Sequence, residues 1–253
     1  MKSQLWGLYV REVVRTFRNP FVVLITLVQP FMWLAFFGSS FNNLAAASGK
    51  FGAGTYFAFL LPGTLSTSML GMGMFGSMST IQDKRFGFMK RILITPTSKE
   101  TIFLSKAFGA ATRGIVQVPV MVAAALAFGV KFPLSPLDWL VWVVALLLLA
   151  VGFSALFLAI TAPSTDWQTP GVVSNFITMP LMFASASLFP SSYFPSWMQV
   201  ISNVNPITFS AELGRSFLLG TAVDWMNFLY LAVFAVLMVV IGYFVSSRWL
   251  KVE

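Results

Sequence analysis

The sequence predicts an all-α integral membrane protein, in which an interfacial helix precedes six transmembrane helices within a single domain over residues 1–253. Only 9% of the residues are charged and 57% are hydrophobic, with a mean hydropathy of +0.82. A soluble domain carries about 25% charged residues, because water must wet its surface. Several separate apolar runs also reach the ~20 residues that a helix needs to cross a hydrocarbon core of ~30 Å. Both observations favour lipid as the solvent around most of this chain.

Residues 1–20 are the predicted interfacial helix. Arg11, Arg15 and Arg18 lie on one helical face and apolar residues lie on another. Such a helix lies in the membrane interface with its basic side toward anionic headgroups. A signal peptide is the alternative reading, but the apolar run over 21–37 is longer than the ~7–15 residues of a signal core.

The six predicted spans differ in how often proline or polar residues interrupt them. They cover approximately residues 21–41, 56–81, 102–130, 139–161, 169–189 and 225–245. Arg113 lies near one end of the third span, where a long side chain reaches the interface. Residues 190–224 are neither long nor apolar enough in one piece to form an ordinary span and its loop. We expect a non-cytoplasmic segment that enters the membrane as a re-entrant or broken helix.

The distribution of basic residues predicts the orientation. With the amino terminus inside the cell, only Lys50, Lys131 and Arg215 of the 16 basic residues fall on the outer side. The positive-inside rule therefore places both termini of a multi-pass plasma-membrane protein in the cytoplasm. Because the basic residues cluster at the ends of apolar spans rather than along one wetted face, we expect no nucleic-acid partner despite the net charge of +8.

The residue types also exclude several kinds of chemistry. The chain has no histidine and no cysteine, so the usual ligands of zinc and haem and the base of a serine triad are missing. It has no G-x-x-x-x-G-K-[ST] phosphate loop. Its acidic residues fall near span ends, whereas an intramembrane enzyme or a proton-coupled carrier has ionisable groups deep within spans. We expect no catalytic residue, metal or cofactor in this chain, and an energy source in another polypeptide.

The longest polar interruption, residues 79–101, is where such a partner is expected to act. Residues 83–93 alternate charges with large apolar groups, as an amphipathic helix does when one face packs on another protein. Anchoring to anionic lipid explains the same charges and stays open as an alternative. The predicted coupling residues are Asp83, Lys84, Arg85, Gly87, Lys90 and Arg91.

Polar side chains inside spans are candidates for a translocation pathway, although such groups more often form hydrogen bonds between helices. The candidates are Gln29, Gln117, Asn175 and Thr178.

Three motifs together resemble the membrane subunit of ABC-2 type exporters. They are Leu61-Pro62-Gly63, the pattern D-K-R-x-G-x-x-K-R-x-L-x-T-P-x-S that begins at Asp83, and Asn205-Pro206-Ile207-Thr208. Their order and spacing match over nearly the whole chain. In the family, the motif that corresponds to Asn205-Pro206-Ile207-Thr208, called the late motif below, is commonly followed by a tyrosine and, some residues later, by an arginine. This sequence has Phe209 in place of the tyrosine and keeps the arginine as Arg215.

The resemblance implies partners that the chain itself does not reveal. A separate ATPase subunit, in two copies that bind ATP and magnesium, would dock on the loop between spans two and three, and a second permease copy would complete the pathway. The similarity to the drug and lipo-oligosaccharide export branch implies a hydrophobic drug or antibiotic as substrate, with a lipid-linked polysaccharide or a lipid as the alternative. A membrane scaffold without transport activity and a nucleotide-independent secondary transporter are the rival classes.

Overall fold

The computed structural model describes residues 2–48, 55–166 and 168–249, without the side chains of residues 2, 3, 22 and 43–48. Lys50 and Lys251, which contribute to the predicted orientation, lie outside these residues, as does the side chain of Lys2. The described chain is mainly helical, with no β-strand among its described residues. The predicted all-α fold is confirmed.

Eleven α-helices are present in the described ranges. They are α1 (Lys2–Phe17), α2 (Pro20–Ser48), α3 (Tyr56–Arg85), α4 (Phe88–Leu93), α5 (Lys99–Ile115), α6 (Gln117–Ala127), α7 (Pro136–Thr161), α8 (Thr169–Phe183), α9 (Ser196–Ser202), α10 (Pro206–Leu219) and α11 (Trp225–Trp249), with a 3₁₀ turn at Ser191–Tyr193. Of these described residues, five stretches are long and apolar enough to cross a membrane: Val23–Asn42, Tyr56–Arg85, Lys99–Ala127, Pro136–Thr161 and Trp225–Trp249.

Helix α3 lies at the centre of the bundle. It contacts α2, α5, α7, α8 and α10, and most of its side chains are buried. Helix α7 packs along it and contributes large core side chains such as Trp142, Phe153 and Phe157. Helices α2 and α11 instead expose apolar residues over most of their length. Such faces need lipid or another protein chain around them.

The third predicted span is interrupted near its middle. Helix α5 ends at Ile115 and α6 begins at Gln117. Pro119 has no backbone N–H to donate to the carbonyl of Ile115, four residues earlier, and the helix is broken at this turn, whereas α2 and α3 continue through Pro30 and Pro62.

The fifth predicted span is shorter in the structure. Helix α8 ends at Phe183 rather than at residue 189, and its 15 residues are about 22 Å long. Residues 184–190 are not helical, and α10 follows inside the bundle, packed against α3, α7 and α11. The predicted broken helix before the last span is therefore present, and the break begins earlier than the hydrophobic pattern indicates.

Candidate coupling surface and translocation cavity

Helix α4 is a separate amphipathic helix that follows α3. The chain turns at Gly87, whose φ of +71° lies in the left-handed region that side-chain-bearing residues rarely adopt. One face of α4 is buried: Met89 and Ile92 form a small apolar core with Ile102 of α5, and Leu8 of α1 packs against it. This core attaches α4 to two other helices.

The opposite face of α4 and its flanking turns are exposed. Phe86 and Ile94 are each 77% exposed, which is unusual for large apolar side chains. Basic residues lie beside them, and mixtures of arginine with aromatic and aliphatic groups are typical of protein interfaces. This surface, called the α4 face below, consists of Arg85, Phe86, Lys90, Arg91 and Ile94.

Three of the predicted coupling residues, Asp83, Lys84 and Gly87, do not belong to the α4 face. The half-buried Lys84 turns inward, and its ammonium group donates a hydrogen bond to the carbonyl of Ala162 at the end of α7. Lysine at this position complements the unpaired carbonyls of a helix C-terminus. Asp83 is buried, with 3% of its surface exposed. Arg85, Lys90 and Arg91 are exposed, and Gly87 forms the turn that orients them.

Asp83 belongs to a buried ion cluster that joins α1, α3 and α5. Lys106 donates hydrogen bonds to Glu12 at 2.7 Å, to Ser79 at 2.8 Å and to Asp83. Arg11 donates to both carboxylate oxygens of Asp83, at 2.7 and 3.1 Å. The members of the cluster are Arg11, Glu12 and Arg15 of α1, Ser79 and Asp83 of α3, and Lys106 of α5.

The ion cluster also contacts α4. The Arg11 guanidinium lies 3.7 Å from the centre of the Phe88 ring, a cation–π contact. Burial by itself lowers the pKa of Arg11, but the hydrogen bond and charge of Asp83 raise that pKa above its ordinary value overall. Arg11 therefore stays charged and links α4, α1 and α3.

The predicted interfacial arginines occupy different environments. Arg11 and Arg15 are directed at Asp83, and about a third of each side chain is exposed, 31% and 35%. Of the three, only Arg18, just beyond the end of α1, belongs to the exposed residues. Glu12 and Lys106 were missed by the sequence reading. The sequence offers only weak indications of this cluster: Glu12 is an acidic residue within a basic helix, and Ser79 lies one helical turn before Asp83 on α3.

A cavity of about 290 Å³ lies between α2, α3 and α8. Gln29, Asn175 and Thr178, three of the four predicted pathway residues, line it. Hydroxyl groups contribute further polar positions, from Thr26, Thr64, Thr67, Ser68 and Ser174. Apolar contacts come from Trp33, Met72, Met74, Phe75 and Met182. No charged side chain lines this cavity among the described residues, and its volume is close to the ~300 Å³ lower limit of ligand pockets.

The fourth candidate, Gln117, lies elsewhere. It begins α6, is 2% exposed, and borders a separate small space beside Arg113. The Arg113 guanidinium donates to the hydroxyl of Thr16, near the end of α1, at 3.0 Å.

Comparison with known proteins identifies the family. Residues 3–219 match the family described as "ABC-2 type transporter". The chain belongs to this family. Its members are transport permeases rather than enzymes, and the helices above make this one a multi-pass membrane protein.

Individual relatives show the same similarity over most of their length. A protein named as a transport permease, ycf38, of Cyanophora paradoxa is 28% identical over 83% of this chain and 72% of its own. The "Daunorubicin resistance ABC transporter permease protein DrrB1" of Streptomyces coeruleorubidus is 24% identical over 87% and 75%. The "Inner membrane transport permease YadH" of Escherichia coli K12 is 24% identical over 81% and 78%.

In this ABC-2 permease, side chains of the late motif form hydrogen bonds with the backbone at the end of α8 and in the non-helical residues 184–188 that follow it. Asn205 caps α10 by accepting from the backbone of Ile207 at 3.0 Å, and its amide nitrogen donates to the carbonyl of Leu181 at 2.7 Å. The Thr208 hydroxyl accepts from the backbone N–H of Ala186 at 3.0 Å. These bonds satisfy backbone groups that the end of the helix leaves unpaired.

Arg215 holds the same segment from the other side. Its side chain is 4% exposed, and it donates to the carbonyl of Ser187 at 2.8 Å and to that of Phe59 at 3.0 Å. Its third partner is the carboxylate of Glu212 at 2.8 Å. Burying a guanidinium without such partners would be costly, so the position of residues 184–188 depends on this side chain.

The Leu61-Pro62-Gly63 motif completes this contact. A Cβ atom at Gly63 would overlap the backbone of Ser187, so only glycine lets α3 approach the segment so closely. Near the start of α3, the Tyr56 hydroxyl donates to the carbonyl of Leu188 at 2.8 Å. The two motifs that are far apart in the permease sequence therefore meet at one place, and Leu188 also lines the cavity.

Proposed function

We propose that this permease is the membrane subunit of an ATP-driven exporter that works as a dimer with two copies of a separate ATPase, which holds the ATP and magnesium. The observation that carries the proposal is the α4 face. It presents Arg85, Lys90 and Arg91 beside exposed apolar groups, while Met89 and Ile92 attach the helix to α1 and α5. Because α4 is attached to α1 and α5, a partner bound to this face would move the helix bundle rather than a flexible loop alone.

The ion cluster supplies the path by which such movement reaches the pathway. Displacement of α4 acts on Arg11 through Phe88, and Arg11 is bonded to Asp83 at the end of α3. Helix α3 is unbroken from Tyr56 to Arg85 and carries much of the cavity lining. Closure of the ATPases would thus shift one wall of the cavity against α2 and α8.

The cavity supports a hydrophobic small molecule, such as a drug or antibiotic, as the substrate. Its methionines adapt to irregular apolar shapes, its hydroxyl and amide groups offer hydrogen bonds, and it has no charged lining residue among those described. One relative is named for daunorubicin resistance, which favours this class over a lipid-linked glycan.

The exposed face of α8 supports the dimer. Val172, Phe176, Met179 and Phe183 are 67%, 82%, 61% and 55% exposed and follow one another at spacings of four, three and four. That spacing is typical of a helix–helix seam. A second copy packed here would close the open side of the cavity. By the positive-inside rule, α4 and both termini then face the cytoplasm of a plasma membrane.

The test replaces the three exposed basic residues of the α4 face together, as Arg85→Glu, Lys90→Glu and Arg91→Glu. We expect the variant to reach the membrane in normal amount and to lose stoichiometric co-purification of a phosphate-loop ATPase, and its ATP hydrolysis, in detergent. A matched control changes three exposed basic residues elsewhere: Arg18, Lys131 and Arg248. Unchanged ATPase binding by the α4 variant would refute the proposal.

A further inference from the structure

The hydroxyl groups that line the cavity between α2, α3 and α8 have mostly used their protons already. Four of them donate to carbonyls of their own helix: Thr26 to Val23 at 2.7 Å, Thr64 to Leu61 at 2.9 Å, Thr67 to Thr64 at 3.0 Å and Ser68 to Thr64 at 2.7 Å. A carbonyl oxygen has no proton to give, so the hydroxyl is the donor in each of these pairs.

A hydroxyl whose proton is committed in this way still has its lone pairs. Serine and threonine each offer one O–H donor and two acceptor positions, so toward the cavity these four groups act as acceptors. Hydroxyl bonds to the backbone of the same helix are found in many helices. Here such groups from α2 and α3 border one space, and together they make its lining rich in acceptors.

Helix α2 contributes another acceptor at the same place. Pro30 lies inside α2 and lines the cavity, as does Thr26. Because Pro30 has no N–H, the carbonyl of Thr26, four residues earlier, lacks its helical donor. The cavity also contains methionine sulfur atoms, which are weak acceptors, from Met72, Met74 and Met182.

Donors are fewer around this cavity, and no charged side chain lines it among the described residues. The donors are the amides of Gln29 and Asn175, which also accept, the indole N–H of Trp33, and the hydroxyl pair of Ser174 and Thr178, whose oxygens lie 3.4 Å apart. A carboxylate or phosphate ligand would find no cation here. A ligand with several N–H donors would find acceptors on both α2 and α3.

We propose that this cavity binds the protonated primary amine of a hydrophobic ligand, with the ammonium group directed at the hydroxyl oxygens of α3. An alkylammonium group has three N–H donors and no acceptor. Neutral oxygens can replace the hydration shell of a cation, as they do in potassium channels, so no carboxylate is needed. The indole of Trp33 borders the same space, and the face of an indole attracts cations. The inference rests on the proposed function, because it names the substrate class of the exporter cavity.

The test measures thermal unfolding of the purified full-length permease in neutral detergent, without an ATPase, while one of four compounds is added at about pH 7. All four share a phenylbutyl body: phenylbutylamine, its N-trimethyl derivative, phenylbutanol and phenylbutanoate. The amine is protonated, since alkylamines titrate near the lysine value of about 10.4. The trimethyl derivative keeps the charge without N–H donors, the alcohol is neutral, and the carboxylate is an anion.

We expect the amine to raise the Tm of the unmodified protein at a lower concentration than the other three compounds. Its half-saturating concentration should be lower by at least about tenfold, equal to about 1.4 kcal/mol. The variant Thr67→Val with Ser68→Ala removes two of the acceptors. It should raise the half-saturating concentration of the amine at least about tenfold and change that of the trimethyl derivative little.

A matched control changes two other hydroxyl groups of the same helix. Ser77 and Thr80 also donate to carbonyls of α3, at 2.8 and 3.0 Å, but do not line the cavity. Ser77→Ala with Thr80→Val should therefore bind the amine like the unmodified protein. Thr67→Val alone keeps the side-chain shape and decides the question if the double cavity variant does not fold.

Unchanged amine binding in the cavity variant, or an equal loss of binding in the control variant, overturns the role of these hydroxyl groups. Equal binding of the amine and its trimethyl derivative does the same. Binding of the alcohol or the carboxylate as tightly as the amine overturns the ligand class, as does the absence of a shift with the amine. Because the permease is measured alone, these outcomes are independent of ATPase co-purification, and the ligand class and the ATPase coupling can fail separately.

Discussion

Replacing Asp83 by asparagine removes one of the two acidic groups from the ion cluster and leaves the side-chain shape almost unchanged. In the unmodified protein, Asp83 accepts two hydrogen bonds from Arg11, one from Arg15 and one from Lys106. In Asp83→Asn, three cations face Glu12 alone. Arg11 and Arg15 can turn toward solvent, whereas Lys106, 3% exposed, cannot.

The expected magnitude follows from that difference in burial. Removing one partner of a buried ion pair costs about 3–5 kcal/mol, and in Asp83→Asn the buried Lys106 keeps only Glu12, which it shares with Arg11. Lys106→Met should cost clearly less, because Arg11 still pairs with Asp83 and Ser79 still donates to Glu12 at 2.6 Å. The double variant should be less destabilised than the sum of the two single variants, by about 1–3 kcal/mol.

Thermal unfolding in neutral detergent, followed by tryptophan fluorescence, measures these effects. At about 2–4 °C per kcal/mol for a chain of this size, Asp83→Asn should lower the Tm by roughly 10 °C. The control Asp166→Asn removes an exposed loop carboxylate and should change stability by less than about 0.5 kcal/mol. A drop for Asp83→Asn no larger than that of this control, or an equal drop for Lys106→Met, would refute the reasoning.

Three further outcomes are expected. Arg215→Lys should lower the Tm by several degrees, because one ammonium group cannot replace the arginine donors that are directed at two separate carbonyls. A Tm equal to that of the unmodified protein would contradict this. Gly87→Ala should destabilise the α3–α4 turn by about 1–2 kcal/mol and weaken ATPase co-purification, whereas Gly87→Asn should do so less, because asparagine tolerates a positive φ. Since the chain has no cysteine, Phe176→Cys should form a disulfide-linked dimer in oxidised membranes, and Val236→Cys, also well exposed on α11 at 64%, should not. Equal cross-linking of both would argue against the α8 seam.

The ion cluster shows why the role of Asp83 was not predictable from its neighbours in sequence. Within residues 83–93, Asp83 belongs to one charged run, and that run predicts a single amphipathic helix. Gly87 divides it, so that residue 83 continues α3 and points inward while Lys90 and Arg91 lie on α4. Its buried partner Lys106 is 23 residues away, a distance at which charge patterning carries no information about pairing.

The cavity and the end of α8 show which features can be predicted from the polarity of residues in the sequence and which cannot. Gln29, Asn175 and Thr178 were chosen because they are polar within apolar spans, and they do meet in one cavity. Gln117 carries the same signal and faces another space, because polarity does not tell which neighbour a side chain faces. Likewise, the apolar pattern continues past Phe183, but the helix ends there, because the backbone groups beyond it find partners on α3 and α10.

Helix α3 connects all three of these features. Asp83 in the ion cluster and Gly63 against residues 184–188 lie 20 residues apart on one unbroken helix, about 30 Å at 1.5 Å per residue. That length equals the hydrocarbon thickness of a membrane, and the cavity-lining residues Thr67 to Phe75 lie between the two ends. A rigid shift of α3 cannot change the contacts of Asp83 without also moving the cavity wall and the backbone contact at Gly63. We therefore expect a displacement of α4 to reach the cavity wall and the contact at Gly63 together, through α3 alone.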